Sequence, residues 1–339
     1  KEKIKEVKSS LNNEEKLLNI IKEEISEIKE KYDDERRTDI LASKYVDLEM
    51  EDLIEEEKIV VTMTHDDYIK RMPLDTYRKQ RRGGKGVIGI STKEEDFVEN
   101  VFTTSTHHYF LFFTNKGKVY RLKGYQIPEA GRQARGTAII NLLDLEDEER
   151  ITAVIPIREF DEDKFLLMAT KEGLIKKTPL KDYDTNYTGL KGIKLRENDE
   201  LIDVKFSKKD ENIIIATYKG KAIHFKEDDV RSTARSSYGV KSIDLSEDDY
   251  VIGLGIDSEG KDLLTITENG YGKKTPLEDY RLQSRGGKGL ITLNIKEKNG
   301  SLVAIKVVND DNELLVISEE GIMIRTSVEE ISRTARNTQ

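Results

Sequence analysis

The densest chemistry in the chain lies in seven residues, Gln80-Arg81-Arg82-Gly83-Gly84-Lys85-Gly86. Three cations set among three glycines make a loop whose backbone can approach a phosphate while its side chains reach neighbouring ones. A near copy, Gln283-Ser284-Arg285-Gly286-Gly287-Lys288-Gly289, follows later in the chain, and fragments recur as Arg132 with Arg135, Lys191 and Arg235. Other chemistries find little support. Gly84-Lys85-Gly86-Val87-Ile88-Gly89 spells a dinucleotide fingerprint, but strand formers follow it and no acidic ribose partner stands in a βαβ context. No Walker A sequence is present. His107 and His108 are adjacent, so on a strand they face opposite ways and cannot share a metal; no metal site is expected. The absence of Cys excludes thiolate sites and disulfides. Asn186-Tyr187-Thr188 matches a glycosylation sequon in a chain with no other secretory feature.

The elements that carry these loops repeat. A hairpin turn recurs as Thr64-His65-Asp66-Asp67, Thr114-Asn115-Lys116-Gly117, Thr170-Lys171-Glu172-Gly173, Thr217-Tyr218-Lys219-Gly220, Thr267-Glu268-Asn269-Gly270 and Ser318-Glu319-Glu320-Gly321, at intervals of 50, 56, 47, 50 and 51 residues. A period near 50 points to a propeller-like array, and Gly at five of the six final turn positions suits a backbone with φ > 0. Counting from that position, offset +4 holds Arg71, Arg121, Lys177, His224, Lys274 and Arg325. Offset +10 holds Tyr77, Ile127, Tyr183, Val230, Tyr280 and Ile331, expected in the core; +19 holds Gly86, Gly136, Gly192, Gly239 and Gly289. β-rich runs such as Tyr109 to Phe113 and Ile213 to Ile215 precede the turns. Six repeats are therefore expected over 58–339, the last truncated. Before them, Leu18, Ile21, Ile25, Ile28 and Tyr32 space a helical seam suited to a coiled coil. Ile4, Val7 and Leu11 form a shorter stripe, with a break and N-cap at Asn12-Asn13. Residues 33–57 read as an acidic connector.

Net charge is −9, which at first argues against a polyanionic partner. The charge is segregated, however. Residues 1–57 carry −8; the six stretches from the turn position to the +19 glycine or the chain end carry +16, and the rest of the array −17. If repeats stack around an axis, their basic halves align into a curved stripe. Such a stripe is the footprint of a phosphate backbone, although an acidic protein partner remains open on charge alone. No apolar run approaches a membrane span and no leader opens the chain, so a cytoplasmic location is expected.

On these residues the chain resembles the C-terminal region of bacterial DNA gyrase A subunits, in the type IIA topoisomerase family. Gln80 to Gly86 reads as the complete box of that family and closes the first repeat, as it does there. Asp34-Glu35-Arg36-Arg37-Thr38 resembles the stretch after the family's long coiled coil, and Arg336-Asn337-Thr338-Gln339 resembles its last blade. The resemblance implies an all-β, six-bladed β-pinwheel over 58–339, a propeller-like disc whose blades exchange strands, preceded by a coiled-coil remnant and acidic linker at 1–57. It implies double-stranded DNA bound without sequence preference and wrapped with positive handedness, so that an ATP-driven holoenzyme introduces negative supercoils. It implies two partners, the gyrase B subunit plus a second A subunit, in an A2B2 tetramer. ATP and magnesium then belong to the B subunit, with no cofactor here. The setting is cytoplasmic and nucleoid-associated. The cleaving tyrosine of the family lies on a core that precedes this segment, so this piece is not expected to cut DNA. The implied DNA-binding residues are Gln80, Arg81, Arg82, Gly83, Gly84, Lys85 and Gly86 of the box. With them go Arg71, Arg121, Arg132, Arg135, Lys177, Lys191, Arg235, Lys274, Arg285, Lys288, Arg325 and Arg336. Asp67, His224 and Thr188 depart from the repeat pattern and suggest weaker contributions from the fourth blade and part of the third. Two other readings are the DNA-binding module of a topoisomerase IV A subunit, with fewer blades and a degraded box, and a protein-interaction propeller.

Overall fold

The computed structural model describes residues 1–11, 13–32, 50–76, 96, 98–131, 134–185, 187–317 and 323–338. The box, Tyr77, Arg132 and the segment 34–38 lie outside them. Two compact units result, Lys1–Glu49 and Met50–Gln339.

In the first unit, helices Glu2–Leu11 and Glu14–Tyr32 flank the expected break. The Asn13 side chain accepts from the Glu15 and Lys16 amides at 3.2 and 3.3 Å, capping donors that a helix start leaves open. The seam residues Leu18, Ile21, Ile25, Ile28 and Tyr32 are 42–70% exposed.

The second unit is all-β and propeller-like. It begins at Met50 rather than at the expected boundary after residue 57, because the second repeat holds this segment. Lys123 Nζ donates to Glu51 at 2.8 Å, His107 Nε2 lies 2.8 Å from the Ile54 carbonyl, and Thr106 Oγ1 donates to the Glu55 carbonyl at 3.0 Å. Among the described residues there are four four-stranded sheets, one three-stranded sheet and the hairpin Glu313–Ile317 with Met323–Ser327. The sixth repeat is thus seen as a hairpin, where six full sheets were expected.

The four-stranded sheets are built alike. Lys58–Thr64 turns into Tyr68–Pro73, and Val98–Ser105 returns along the first strand. The fourth strand is only Thr137–Ala138, and it comes from the next repeat. Leu190–Lys191, Val240–Lys241 and Leu290–Ile291 likewise complete the sheet of the repeat before their own. Strands are exchanged between neighbours, as the resemblance implied. Register is constant: the +4 residue always faces the residue six before the turn position, as in Val61 with Arg71, Leu167 with Lys177 and Ile214 with His224.

Turn chemistry fixes that register. At Asp67, Gly117, Gly173, Gly220 and Gly270 φ lies between 58° and 80°, the left-handed conformation that the repeated glycine predicted, adopted at Asp67 by an aspartate. The threonine three residues earlier takes up loose donors: Thr64, Thr114, Thr170 and Thr217 Oγ1 accept from the amide after the turn at 3.1–3.3 Å. Acids from the loop before the third strand cap the same turns. Asp96 accepts from the Asp66 amide at 3.0 Å, Asp199 from Glu172 at 2.9 Å, and Asp249 from Lys219 at 2.9 Å. Part of the acidic half of the first, third and fourth repeats is therefore internal capping.

The core lies between sheets. Leu111, Phe113 and Ile155 of the second repeat pack with Leu166, Met168, Tyr183 and Leu201 of the third. Of the +10 residues, Ile127, Tyr183, Val230 and Tyr280 are buried and Ile331 is half-buried. Tyr183 is 2% exposed, meets Phe113 edge to face at 5.9 Å, and donates to the Gly192 carbonyl at 3.3 Å. Replacing Tyr183 by Ala should therefore cost about 3–5 kcal/mol in urea unfolding, as the loss of a large core aromatic does. A loss well under 1 kcal/mol would show that Tyr183 does not join the sheets.

Candidate nucleic-acid interface

The +4 row was expected as a line of charge open to a polyanion. The structure instead turns most of it toward the following repeat. Arg71 Nε donates to the Ile127 carbonyl at 2.8 Å, and its Nη1 lies 3.2 Å from Glu129. Arg121 lies 3.8 Å from Asp184 and stacks over the Tyr109 ring at 4.7 Å. Lys177 Nζ pairs with Glu227 at 2.8 Å, both side chains buried. His224 Nδ1 lies 2.8 Å from the Tyr280 carbonyl, and Lys274 Nζ donates to the Val328 carbonyl at 2.8 Å and to Asp310 at 2.5 Å. In all five cases a donor on one repeat holds a residue within three positions of the +10 core residue of the next. Arg325 differs: it is exposed and paired with Glu313 within its own hairpin. The backbone follows the same line, with single parallel bridges Arg71 to Glu129, Lys177 to Ser232 and Lys274 to Arg333.

One position earlier the repeats alternate. Offset +3 holds Lys70, Tyr120, Lys176, Ile223, Lys273 and Ile324. The three lysines are 0, 1 and 4% exposed. Lys70 Nζ donates to the Gly131 and Ala134 carbonyls at 3.1 and 2.8 Å. Lys176 Nζ donates to the Gly192 carbonyl at 2.6 Å and to the Arg235 carbonyl. Lys273 Nζ reaches the carbonyls of Ala335, Arg336 and Thr338 at 2.9, 2.6 and 3.0 Å. Burial pushes all three down from the usual lysine range, Lys176 to about 7 and Lys273 to about 8.

Cations open to solvent include several on the loops between the +10 residue and the exchanged strand, and Lys191 on such a strand. Lys191, Arg231, Arg281 and Lys288 are exposed, with no side-chain hydrogen bond or ion pair among the described residues. Arg135 is half-buried over the Tyr68 ring at 5.0 Å. At +15, Arg285 donates from Nε to the Asp229 carbonyl at 2.8 Å and from Nη1 to the Lys241 carbonyl at 3.0 Å, and Arg336 donates to the Ile291 carbonyl at 3.2 Å. Arg235 is half-buried on the same loop of the fourth repeat. Sequence reasoning passed over Arg231 and Arg281. Their signal was an arginine at +11 in three repeats, with Arg78 as the third. The expected +19 requirement has a geometric cause: a Cβ on Gly136, Gly239 or Gly289 would come within 2.6–2.9 Å of a backbone oxygen of the preceding repeat.

Among the described residues no cluster of His, Asp or Glu could hold a metal, and no helix is long and apolar enough to cross a membrane.

The repeat boundaries coincide with a known pattern. The sequence profile described as DNA gyrase C-terminal domain, beta-propeller, matches residues 58–105, 108–158, 164–208, 211–256, 261–309 and 312–339. The chain belongs to this family. The DNA gyrase A subunit of Halalkalibacterium halodurans is 58% identical over 339 residues, covering 100% of this chain and 41% of that protein. The DNA gyrase A subunit of Clostridium acetobutylicum is 52% identical over 335 residues, covering 98% and 40%. The chain thus spans about two-fifths of the length of these relatives, matching their C-terminal part. A crystal structure of the C-terminal domain of DNA topoisomerase IV superposes with a TM-score of 0.74 at 26% identity, covering 84% of this chain and 88% of that one. A structure of the DNA gyrase A C-terminal domain gives 0.67 at 29%, covering 83% and 93%.

Within this family fold the buried Lys177–Glu227 pair can be tested as a clamp. Burial raises the Glu227 carboxyl, and Lys177 opposes that shift. Lys177→Met should strand the carboxylate and cost about 3–5 kcal/mol, while Lys177→Met with Glu227→Leu should recover most of the loss. Equal stability of the single and double variants in denaturant unfolding would remove the clamp.

Proposed function

We propose that the chain is the DNA-binding and DNA-wrapping module of a gyrase A subunit, a six-bladed disc that bends double-stranded DNA around its basic rim. The observation that carries this reading is the set of exposed cations Lys191, Arg231, Arg281 and Lys288, at offsets +11 and +18 on the loops and exchanged strand of the third, fourth and fifth repeats. Family membership and the six matched segments support it. The contacts fall on these residues, on Arg135, Arg235, Arg285 and Arg336, and on the box from Gln80 to Gly86; the +4 residues other than Arg325 serve mainly to join repeats. In the assembled enzyme, a B subunit carrying ATP and magnesium and a second A subunit complete an A2B2 tetramer in the cytoplasm. The bent DNA is then presented for strand passage, and negative supercoils accumulate.

The topoisomerase IV likeness favours a second reading, a module that binds DNA without a full wrap. The intact box and the 52–58% identity to gyrase A proteins argue for the first.

Two measurements test this. Phosphate contacts release counterions, so log affinity should fall against log salt by about 0.9 per contact, with little sequence preference. The Lys177→Met/Glu227→Leu variant should keep that slope. An affinity nearly flat in salt would exclude the rim. Wrapping should separate from binding at the box, because bending 20–30 base pairs through 40–90° costs on the order of 1–6 kcal/mol and the densest charge is the natural anchor for the closing turn. Replacing Arg81, Arg82 and Lys85 by Ala should abolish positive writhe trapped in a ligated nicked circle, while a short linear duplex binds only moderately less well. A triple variant that traps writhe as wild type does would place the anchor elsewhere.

A further inference from the structure

The lysines at +3 are hard to explain by stability. The same position holds Tyr120 and Ile223, both buried, in the second and fourth repeats and Ile324 in the sixth, so an uncharged residue fits the fold there. An ammonium pays for desolvation, and it is tolerated only where acceptors surround it. For Lys176 and Lys273 those acceptors are backbone carbonyls, with no carboxylate in ion-pair range among the described residues.

The carbonyls belong to one kind of loop. In the second, fourth and sixth repeats the chain bends between +14 and +17, closed by the Ala134 amide on Gly131, the Ser237 amide on Ala234 and the Thr338 amide on Ala335. The lysine of the preceding repeat collects carbonyls at +14, +15 or +17 of that bend. Loops of the third and fifth repeats are seated differently. There a glycine lies on the apolar +3 side chain: a Cβ on Gly189 would meet the Tyr120 ring at 3.3 Å, and one on Gly287 the Ile223 Cδ1 at 3.6 Å. Arg235 and Arg336 stand on the lysine-held bends.

We propose that Lys70, Lys176 and Lys273 are positioning residues for DNA contact: their buried ammonium groups hold inward the carbonyls of the even-numbered loops, and so fix the backbone that presents Arg235 and Arg336 to phosphate. The proposal rests on the DNA-binding reading above. The rim then carries two alternating kinds of contact, one clamped by charge and one seated by glycine on an apolar side chain. Neutralising a lysine releases the loop of the next repeat and leaves the odd loops in place.

The test uses the full chain and a short linear duplex, with affinity read across a salt series and folding checked by thermal unfolding. Lys176→Met keeps the volume and removes the charge. It should lower the salt slope by about 0.9, the value of one phosphate contact, matching Arg235→Ala. In the Arg235→Ala background Lys176→Met should have no further effect on the slope, because both act on one contact. Ile223→Met, at the same offset in an alternate repeat, should leave the slope unchanged. If Lys176→Met does not fold, Lys273→Met with Arg336→Ala gives the same cycle at the terminal hairpin. A steep wild-type slope that the folded lysine variants leave intact overturns this inference alone. A flat wild-type slope overturns the DNA reading and the inference with it.

Discussion

A two-stranded hairpin with one apolar face has no stable existence in water, and each repeat of this chain supplies little more than that hairpin and one returning strand. Its sheet is finished by two residues of the next repeat, and its core is finished by the next sheet. The bond that makes this possible runs from the +4 donor to the segment around the neighbour's +10 residue, as from Arg71 to the Ile127 carbonyl and from His224 to the Tyr280 carbonyl. Everything else presupposes it. The exchanged strand can pair only if the loop before it is tethered, and the loop is tethered because its base is bonded to the previous repeat.

This constraint also decides where charge can do work. The acids that make the chain net negative are partly consumed in capping hairpin turns, as Asp199 and Asp249 are. Half of the conspicuous cations are consumed between repeats. Among the cations that remain exposed are those on the loops that bridge one sheet to the next, beside others such as Arg158, Lys208 and Lys209 elsewhere. Those loops lie at the exchanged edge, because the short fourth strand is the end of the loop itself. A chain of net charge −9 can thus present a basic edge, since acid and base occupy different elements of every repeat.

Most of the fold was legible because the turn position, the +10 core residue and the +19 glycine each answer to a local cause: a left-handed turn, burial, and close backbone approach. The fate of the +4 row was not. A constant offset reveals that a residue type is needed, but an arginine reaching a carbonyl and an arginine reaching a phosphate leave the same mark in a sequence. His224 held the clue. Read as a lapse from Lys or Arg, it suggested a weak fourth blade; in place, its Nδ1 meets a carbonyl, for which a donor suffices and a charge does not matter. Met50–Glu57 was misjudged for a related reason. An acidic run looks like solvated connector until Lys123 and His107 are brought beside it from 72 and 53 residues away.

The alternation at +3 escaped notice because six repeats were aligned on features they share. Averaged over all six, the column Lys70, Tyr120, Lys176, Ile223, Lys273, Ile324 has no character; taken by parity it has two. Parity has a physical basis. A bend that turns carbonyls inward needs a donor beneath it, and a glycine-rich bend lying flat on its neighbour needs an apolar surface. The residue at +3 and the loop of the following repeat therefore form one choice. Exchanging Tyr120 for Lys without exchanging the loop around Gly189 would bury an ammonium against a segment that offers it a glycine Cα in place of converging carbonyls. Exchanging Lys176 for Ile would leave the bend around Arg235 with an acceptor and nothing to satisfy it. The structural unit of the array is thus better taken as a pair of repeats. On the DNA-binding reading proposed above, a rim made of such pairs would meet the DNA path with two chemically distinct supports in alternation, although the cations at its surface look alike.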